Sequence, residues 1–469
     1  MSELWTRPAA EIAAGIARKA FSSAQVVEAH LRRIESVNSR LNAIVRIFAD
    51  EARRAAAEAD RKVASGEALG PLHGVPFTVK ENIDLAGAPT TWGVRSLAQA
   101  IAPSDAPIVA RMRGAGAIAI GRTNLPDMGL RVHTDSSLHG LTRNPWNPSR
   151  TCGGSSGGEA VALATGMSPL GLGSDIGGSL RNPASACGVA SIRPTQGRVP
   201  RAGAIPAEDS PLAVQLMNTE GPMARRVADV RLALSVIEGA HPRDPWSLDP
   251  PPEPPSGAAK PRVAMVAEPP GGPTNPKVAK IVRDAGAALR DAGYEVVEVV
   301  PPRYNEIAAT YGQFLIGDFR AVQDVIEPLM GKDGAFFFRV AGEGVPPLGA
   351  AAMSRMFIAR AALARAWSEF MADCPLVLSP VWTELPFEVG FDVASPENVA
   401  ATLEVFRPVQ PANLFGLPSA CVPAGRDPAT GLPIGVLLTG RRMRDGECLD
   451  AAEAVESRLA VKTPIDPAD

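Results

Sequence analysis

The chain has 469 residues, with 47 lysines and arginines against 50 aspartates and glutamates and a formal net charge of −3. This balance, with basic residues scattered along the chain, excludes the electrostatic footprint of a nucleic-acid-binding protein. The first residues lack the regions of a signal peptide, and no apolar run is long enough to cross a bilayer. We therefore expect a cytoplasmic protein with no nucleic-acid partner and no membrane attachment.

Residues 1–70 are predicted to form a helical region. Ser22 and Ser23 are typical of a helix cap, and apolar residues at helical spacing follow them. A second, alanine-rich helix is predicted over 49–64 and ends at Gly66. The apolar stripe of both helices indicates a packing face.

A different pattern begins at residue 71, where short apolar runs are separated by glycine. It predicts strands at 75–79, 117–120, 169–172 and 188–192 within a core that we place at 71–249. Short buried strands that alternate with helices are typical of an α/β protein with a mixed sheet.

Lys80 follows the first of these strands. Because an apolar strand precedes it, its ammonium group can be poorly solvated, and burial lowers the pKa of a lysine. A neutral lysine can act as a general base. A lysine after a strand is also commonly a surface residue, so Lys80 alone does not predict a site.

Two serines, Ser155 and Ser156, lie in the glycine-rich segment 153–158. A phosphate-binding loop would end in Gly-Lys-Ser/Thr, but Glu159 follows this segment and would repel a phosphate. The glycines of 171–177 do not match the dinucleotide-binding fingerprint either, because the third comes one residue too late. Both nucleotide interpretations are therefore poorly supported.

A second glycine-rich turn, Ile176, Gly177 and Gly178, ends at Ser179. Glycines let the backbone turn sharply and approach a ligand closely. The N–H groups of residues 176–179 could converge on a developing oxyanion, with the serine hydroxyl beside it. The alternative is a tight turn without a catalytic role. Together with Lys80, the two serine segments favour a serine hydrolase with a lysine base, a known variant of the Ser-His-Asp arrangement.

The five cysteines have no C-x-x-C spacing and indicate neither a disulfide framework nor a zinc site. Cys152 lies closest to the serine segments. Nothing near it in sequence would lower its pKa, so we interpret it as a buried thiol. No metal is expected.

The proline-rich segment 250–261 predicts a semi-rigid linker on the surface. A strand, a helix and a strand are then predicted at 262–266, 278–292 and 295–300, which would form one β-α-β unit. We interpret 262–469 as the remainder of the same fold.

Residues 303–370 concentrate aromatic side chains in a chain that is only 5% aromatic. Core packing would explain several of them, but their clustering in a less regular region also suits a pocket wall, which we expect here. The residues are Tyr304, Tyr311, Phe314, Phe319, Phe336, Phe337, Phe338, Phe357, Trp367 and Phe370.

The combined pattern resembles the amidase signature family, whose catalytic triad is a serine, a serine with a cis peptide bond and a lysine. Ser179 matches the nucleophile, Ser155 the cis-peptide serine and Lys80 the base. Ser156 matches a position that supports the triad by hydrogen bonding. The resemblance implies that the N–H groups of Ile176, Gly177, Gly178 and Ser179 hold the oxyanion.

The resemblance covers nearly the whole chain, and Asp175 and Arg181 look like an ion pair that braces the turn at Ser179. Further matching segments are 144–148, 181–184, 194–195, 221–225, 413–418 and 431–435. Departures from the family pattern are Glu81, Cys152 and the stretch 217–220. None of these departures touches the triad, but they leave the substrate open.

The resemblance implies a single large α/β domain, spanning 1–469, with a mixed central sheet surrounded by helices. It also implies hydrolysis of the amide bonds of small uncharged substrates, aromatic or apolar, through an acyl-enzyme. Carbamates (urethanes) and esters share this chemistry and are further candidate substrates. No metal or organic cofactor is implied, the partner is a small amide, and a homodimer is left open.

Two other functions remain to be weighed. One is the glutamine-hydrolysing A subunit of a tRNA amidotransferase, which belongs to the same family but works inside a complex. The other is an inactive binding protein, against which the intact Lys80, Ser155 and Ser179 argue.

Overall fold

One large mixed sheet organises the computed structural model, which describes residues 3–207, 209–252 and 259–468. In chain order the strands are β1 Ile44–Ile47, β2 Pro76–Lys80, β3 Ile118–Thr123, β4 Asp135–Ser136, β5 Gly140–Leu141, β6 Leu170–Asp175, β7 Ala190–Arg193, β8 Thr219–Ala224, β9 Val263–Met265, β10 Val296–Glu298, β11 Leu376–Pro380, β12 Ser419–Arg426 and β13 Pro433–Gly440. Eleven of these described strands form the sheet, in the order β1-β3-β2-β6-β8-β7-β12-β13-β11-β9-β10, and β4 pairs with β5 separately.

Helices surround the sheet. They are α1 Ala9–Ala17, α2 Ser23–Leu41, α3 Ala49–Ser65, α4 Pro107–Gly114, α5 Gly157–Ala164, α6 Arg181–Cys187, α7 Leu212–Met217, α8 Val227–Ile237, α9 Pro276–Asp291, α10 Tyr304–Phe319, α11 Gln323–Ile326, α12 Lys332–Ala341, α13 Ala350–Asp373, α14 Pro396–Val405, α15 Gln410–Phe415 and α16 Asp445–Leu459. None of the described helices combines the length and the apolar character needed to cross a membrane. The predicted α/β fold with a mixed central sheet is confirmed.

The strand directions place the site. β2 pairs in parallel with β3 on one side and with β6 on the other, whereas β8 runs antiparallel to β6. The carboxyl ends of β2 and β6 therefore lie at the same edge of the sheet. Central strands are buried on both faces, which explains the continuous apolar runs in the sequence.

Local signals in the sequence fix several element ends. Ser22 and Gln25 form a reciprocal capping box at the start of α2. Gly66 adopts a left-handed conformation with φ of 76° and ends α3 as predicted. The predicted β-α-β unit is present as β9, α9 and β10, with the two strands parallel.

Three predictions about secondary structure need correction. β1 lies within the region 1–70 that we expected to be helical, because its residues find a partner in β3 at the edge of the sheet. β3 continues through Gly121, where the absence of a side chain lets β1 approach; a Cβ there would lie 2.7 Å from Ile44 Cγ2. Residues 303–370 are not irregular but largely helical, as α10 to α13. Of the predicted linker 250–261, residues 253–258 lie outside the described residues.

Candidate active site

Lys80 is the last residue of β2 and is completely buried. Side chains alternate along a strand, so Phe77 and Val79 pack into the apolar core while Thr78 and Lys80 point to the opposite face. Lys80 Nζ donates to Ser155 Oγ at 2.8 Å and to Ser174 Oγ at 3.0 Å. The lysine is therefore held by two hydroxyl groups.

Ser155 lies in the loop before α5, and the peptide bond between Gly154 and Ser155 is cis. The N–H of Gly154 donates to Asn182 Oδ1 at 2.9 Å. A Cβ at Gly154 would lie 2.8 Å from the carbonyl carbon of Val132, so only glycine fits there. Tight packing around the loop thus aims Ser155 at Lys80.

Ser179 lies in the turn between β6 and α6 and is 5% exposed. Gly178 has a φ of 93°, a conformation that favours glycine. The N–H of Ser156 donates to the carbonyl oxygen of Ser179 at 3.2 Å, which ties the two serine segments together. No hydrogen bond joins Ser155 Oγ to Ser179 Oγ in this structure, and such contacts often form only when substrate is bound.

A buried ion pair supports the turn. Arg181 donates to both carboxylate oxygens of Asp175 at 2.9 Å, and Asn413 Nδ2 donates to Asp175 Oδ1 at 2.9 Å. Burial alone would raise the pKa of Asp175, but Arg181, Arg193 and Asn413 together outweigh it and hold that pKa well below its usual range. The ion pair expected from the sequence is therefore present.

The same carboxylate uses one of the four N–H groups expected to hold an oxyanion. The Gly178 N–H donates to Asp175 Oδ1 at 2.9 Å. Among the residues that the structure describes, the N–H groups of Ile176, Gly177 and Ser179 have no acceptor. These three remain free for a ligand.

Comparisons with known proteins identify the family. A model of the amidase family matches residues 25–449. The chain belongs to the amidase family. The resemblance predicted from the motifs is thus confirmed, and the protein is an amide hydrolase.

Several relatives of this amidase are similar along most of their length. An indoleacetamide hydrolase of Bradyrhizobium diazoefficiens is 42% identical over 98% of this chain and 87% of its own. The A subunit of the glutamyl-tRNA(Gln) amidotransferase of Anaeromyxobacter sp. (strain K) is 33% identical over 97% of both chains. Among solved structures, a bacterial aryl acylamidase matches with a TM-score of 0.82 at 27% identity, over 97% of each chain.

The electrostatic surroundings of Lys80 suit a base. Burial lowers the pKa of Lys80 to about 7, although the charges of Asp175, Glu159 and Glu220 act in the opposite direction. An appreciable fraction of the lysine is therefore neutral near pH 7. For a lysine that must accept a proton, this is the range that general-base catalysis requires.

Glu159 is a buried member of the site that the sequence did not reveal as one. It accepts hydrogen bonds from Thr78 Oγ1 and, at 2.8 Å, from Thr123 Oγ1. Burial raises its pKa to about 8, against the effect of these two hydroxyl groups. Glu159 thereby links α5 to the strands β2 and β3, and β2 carries Lys80. In the sequence, Glu159 serves only to exclude a phosphate loop.

Ser174 and Asn82 were also missed. Ser174 Oγ lies 3.0 Å from both Lys80 Nζ and Asn82 Nδ2. Both residues are close in sequence to predicted site residues, which is the one signal that could have drawn attention to them. Ser156, predicted to support the triad, lies with its Oγ 3.4 Å from the carbonyl oxygen of Ser174.

One of the aromatic residues of 303–370 contacts the turn that ends at Ser179. Tyr311, in α10, donates its hydroxyl to the carbonyl oxygen of Ile176 at 2.9 Å. Most of the other buried aromatic residues of this region pack against one another; Tyr304, for example, lies 6.1 Å from Trp367 between ring centroids. Whether these helices form a pocket wall stays a prediction.

Cys152 can be set aside as a nucleophile. Its side chain is completely buried, and burial raises the pKa of its thiol to about 12. A thiolate is the reactive form of cysteine, so this side chain is inert at neutral pH.

If Lys80 is the base, amide hydrolysis should rise with pH through the pKa of Lys80. We expect kcat/KM to increase as the pH passes through about 7 and to level off above it, since only the neutral lysine accepts a proton. The measurement is a pH profile of kcat/KM with an uncharged amide. A profile that is flat or falls across this range would contradict the assignment.

Proposed function

We propose that this amidase cleaves the C–N bond of small uncharged amides with an aromatic or apolar acyl group, through a Ser179 acyl-enzyme. The observation that carries the proposal is the buried hydrogen bond between Lys80 Nζ and Ser155 Oγ, next to the turn at Ser179. A lysine of lowered pKa bonded to a serine hydroxyl is the arrangement that activates a nucleophile without histidine.

In the proposed reaction, neutral Lys80 takes the proton of Ser155 while Ser155 takes the proton of Ser179. The Ser179 oxygen then attacks the carbonyl carbon. The N–H groups of Ile176, Gly177 and Ser179 donate to the developing oxyanion, and Gly178, which already donates to Asp175, shapes the turn. The Asp175–Arg181 pair keeps these donors in place.

Collapse of the tetrahedral intermediate breaks the C–N bond. Lys80 returns its proton through Ser155 to the leaving nitrogen, and the amine departs. Water then attacks the acyl-enzyme, giving up a proton along the same chain of groups, and the carboxylic acid is released with Ser179 restored. Each step uses only protein groups and water.

The proposed acyl group follows from the position of Tyr311 and from the relatives. Tyr311 brings an aromatic surface to the turn that would hold the carbonyl oxygen. A relative with 42% identity is an indoleacetamide hydrolase, whose name states an aromatic acyl group. We include aryl carbamates and esters as side substrates, because the same acyl transfer applies to them.

Glutamine hydrolysis is the second candidate, because amidotransferase A subunits are 33% identical over nearly the whole chain. The test is to assay the purified chain alone against glutamine, arylacetamides, anilides and aryl carbamates. We expect turnover of an arylacetamide without any partner. A preference for glutamine, or a requirement for a partner protein, would replace the proposal with the amidotransferase function, and no turnover of any substrate would favour a binding protein.

Shortening Tyr311 should affect bulky substrates most. We expect Tyr311→Leu to lower kcat/KM for an arylacetamide about tenfold more than for acetamide, because the lost contact is apolar. Tyr304→Leu is the matched control, since Tyr304 is buried in the same helix but packs against Trp367. An equal loss of kcat/KM for the arylacetamide and for acetamide would show that Tyr311 does not line the acyl pocket. The same change in selectivity in Tyr304→Leu would show this too.

A further inference from the structure

Glu220 places a carboxyl group beside Ser174, at the end of the sheet where Ser174 contacts Lys80. Ser174 of β6 pairs directly with Glu220 of β8, and directly paired residues of antiparallel strands point to the same face. Ser174 is the residue that bonds Lys80 Nζ. Glu220 belongs to the stretch 217–220 that departs from the family pattern, and the proposed mechanism does not use it.

The carboxyl group of Glu220 has no hydrogen-bond partner among the described residues. The residue is 6% exposed, and Oε2 is buried without a donor. Burial raises the pKa of Glu220 to about 8, against the attraction of Arg201 and Lys80. Both cations donate elsewhere, Lys80 to two serines and Arg201 Nη2 to Ser210 Oγ at 3.0 Å. A buried carboxyl group without a donor is costly and needs an explanation.

The other acids near Glu220 are satisfied. Asp84 accepts from Thr90 Oγ1 at 2.7 Å and from the N–H of Ala204 at 2.5 Å. Asp244 accepts from the N–H of Arg201 at 2.8 Å. Among the three acids Asp84, Asp244 and Glu220, only Glu220 thus lacks a hydrogen-bond donor within the described residues.

The proposed mechanism indicates which part of a substrate lies on the side of the Glu220 carboxyl group. Ser155 passes its proton to the leaving nitrogen, so that nitrogen must lie beside Ser155 Oγ. From Ser155, the chain of polar groups runs through Lys80 to Ser174, which is paired with Glu220 on the neighbouring strand. Tyr311 instead contacts the oxyanion turn at Ile176. The polar side of the site therefore faces the leaving group, and the aromatic side faces the rest of the substrate.

We infer that Glu220 accepts a hydrogen bond from the leaving nitrogen and so selects primary amides, whose leaving group is ammonia. An N–H of the substrate supplies the donor that the carboxyl group lacks. An N-aryl or alkoxy leaving group supplies fewer donors or none, and an aryl ring would have to be buried against an unsatisfied acid. The inference rests on the proposed acyl-enzyme mechanism and specifies its leaving-group side.

Two substrates with the same acyl group isolate this effect. Phenylacetamide and methyl phenylacetate form the same acyl-enzyme, but only the amide has N–H donors on its leaving group. The value of kcat/KM reports the steps up to the first irreversible one and therefore reports acylation. A change that acts through Lys80 or through the acyl pocket would alter both substrates.

At a pH well above 7, where Lys80 is neutral with or without the charge of Glu220, we expect Glu220→Leu to lower kcat/KM for phenylacetamide about tenfold, the size of one hydrogen bond to a buried group, and to leave methyl phenylacetate unchanged. Glu220→Gln, which keeps an acceptor oxygen, should lose less. Glu456→Gln is the control: Glu456 is a half-buried acid that accepts from the N–H of Val227 on α8, and its variant should match the wild type.

An equal loss of kcat/KM for the amide and the ester in Glu220→Leu would overturn the inference, and so would a loss for the ester alone. Glu220→Leu removes a buried acid without a partner, so its melting temperature should not fall. Should Glu220→Leu fail to fold, the test uses Glu220→Gln and its ratio of kcat/KM for phenylacetamide to kcat/KM for methyl phenylacetate. A ratio equal to that of the wild type would count against the inference. If the wild type hydrolyses neither substrate, the proposed function itself fails, and that result is distinct from an unchanged ratio.

Discussion

Replacing Ser179 with alanine is expected to abolish amide hydrolysis while leaving the fold intact. Without the hydroxyl group no acyl-enzyme can form, and loss of one member of a triad removes most of the joint effect, at least about 10⁴-fold in kcat. The fold should persist because the Ser179 side chain makes no hydrogen bond within the described residues. The carbonyl oxygen that accepts from the Ser156 N–H is unaffected by the substitution.

The measurement is kcat/KM of the purified variant with an arylacetamide, together with its melting temperature. Ser457→Ala, at an exposed serine of α16, is the matched control and should behave as the wild type. Hydrolysis at the wild-type rate by folded Ser179→Ala protein would refute the nucleophile assignment.

Lys80→Met is expected to reduce kcat/KM by orders of magnitude. Methionine is of similar length and apolar, so it fills the buried site but accepts no proton from Ser155. Removal of a desolvated lysine should not lower the melting temperature, because the burial cost of its charge disappears. The residual activity should also lose the rise with pH through about 7, since the titrating group is gone.

Two variants separate the loss of the base from general damage. Lys80→Arg keeps a cation that cannot give up its proton and should be as inactive as Lys80→Met. Lys62→Met, at an exposed position of α3, should be fully active. An active Lys80→Arg enzyme, or an unchanged pH profile in Lys80→Met, would assign the base to another group.

The sequence alone was sufficient for features that depend on neighbouring residues. Glycine-rich turns, a lysine after an apolar run and helix caps are local patterns, and they led to Lys80, Ser155 and Ser179, to the α/β class and to the family. The Asp175–Arg181 pair could be predicted for the same reason, as its two members lie six residues apart. The Ser179 and Lys80 variants test the roles of these residues in catalysis.

Other features depend on contacts between distant parts of the chain. The strand β1 could not be separated from the helical region 1–70, because only its pairing with β3 makes it a strand. The sequence predicts a less regular region at 303–370, whereas the structure forms the helices α10 to α13 there. Their aromatic side chains pack against one another and against distant residues such as Phe415, which obscures a helical pattern in the sequence. Tertiary contacts of this kind override local propensity.

The surroundings of the site also depend on contacts between residues that are distant in sequence. Glu159 lies 81 residues from Thr78 in sequence, yet the two side chains share a hydrogen bond. Glu220 became a candidate only when the register of β6 and β8 placed it opposite Ser174. Local sequence determined which groups could do the chemistry. The tertiary structure decided which groups surround them, because burial and electrostatic attraction depend on distance in space and not on separation along the chain.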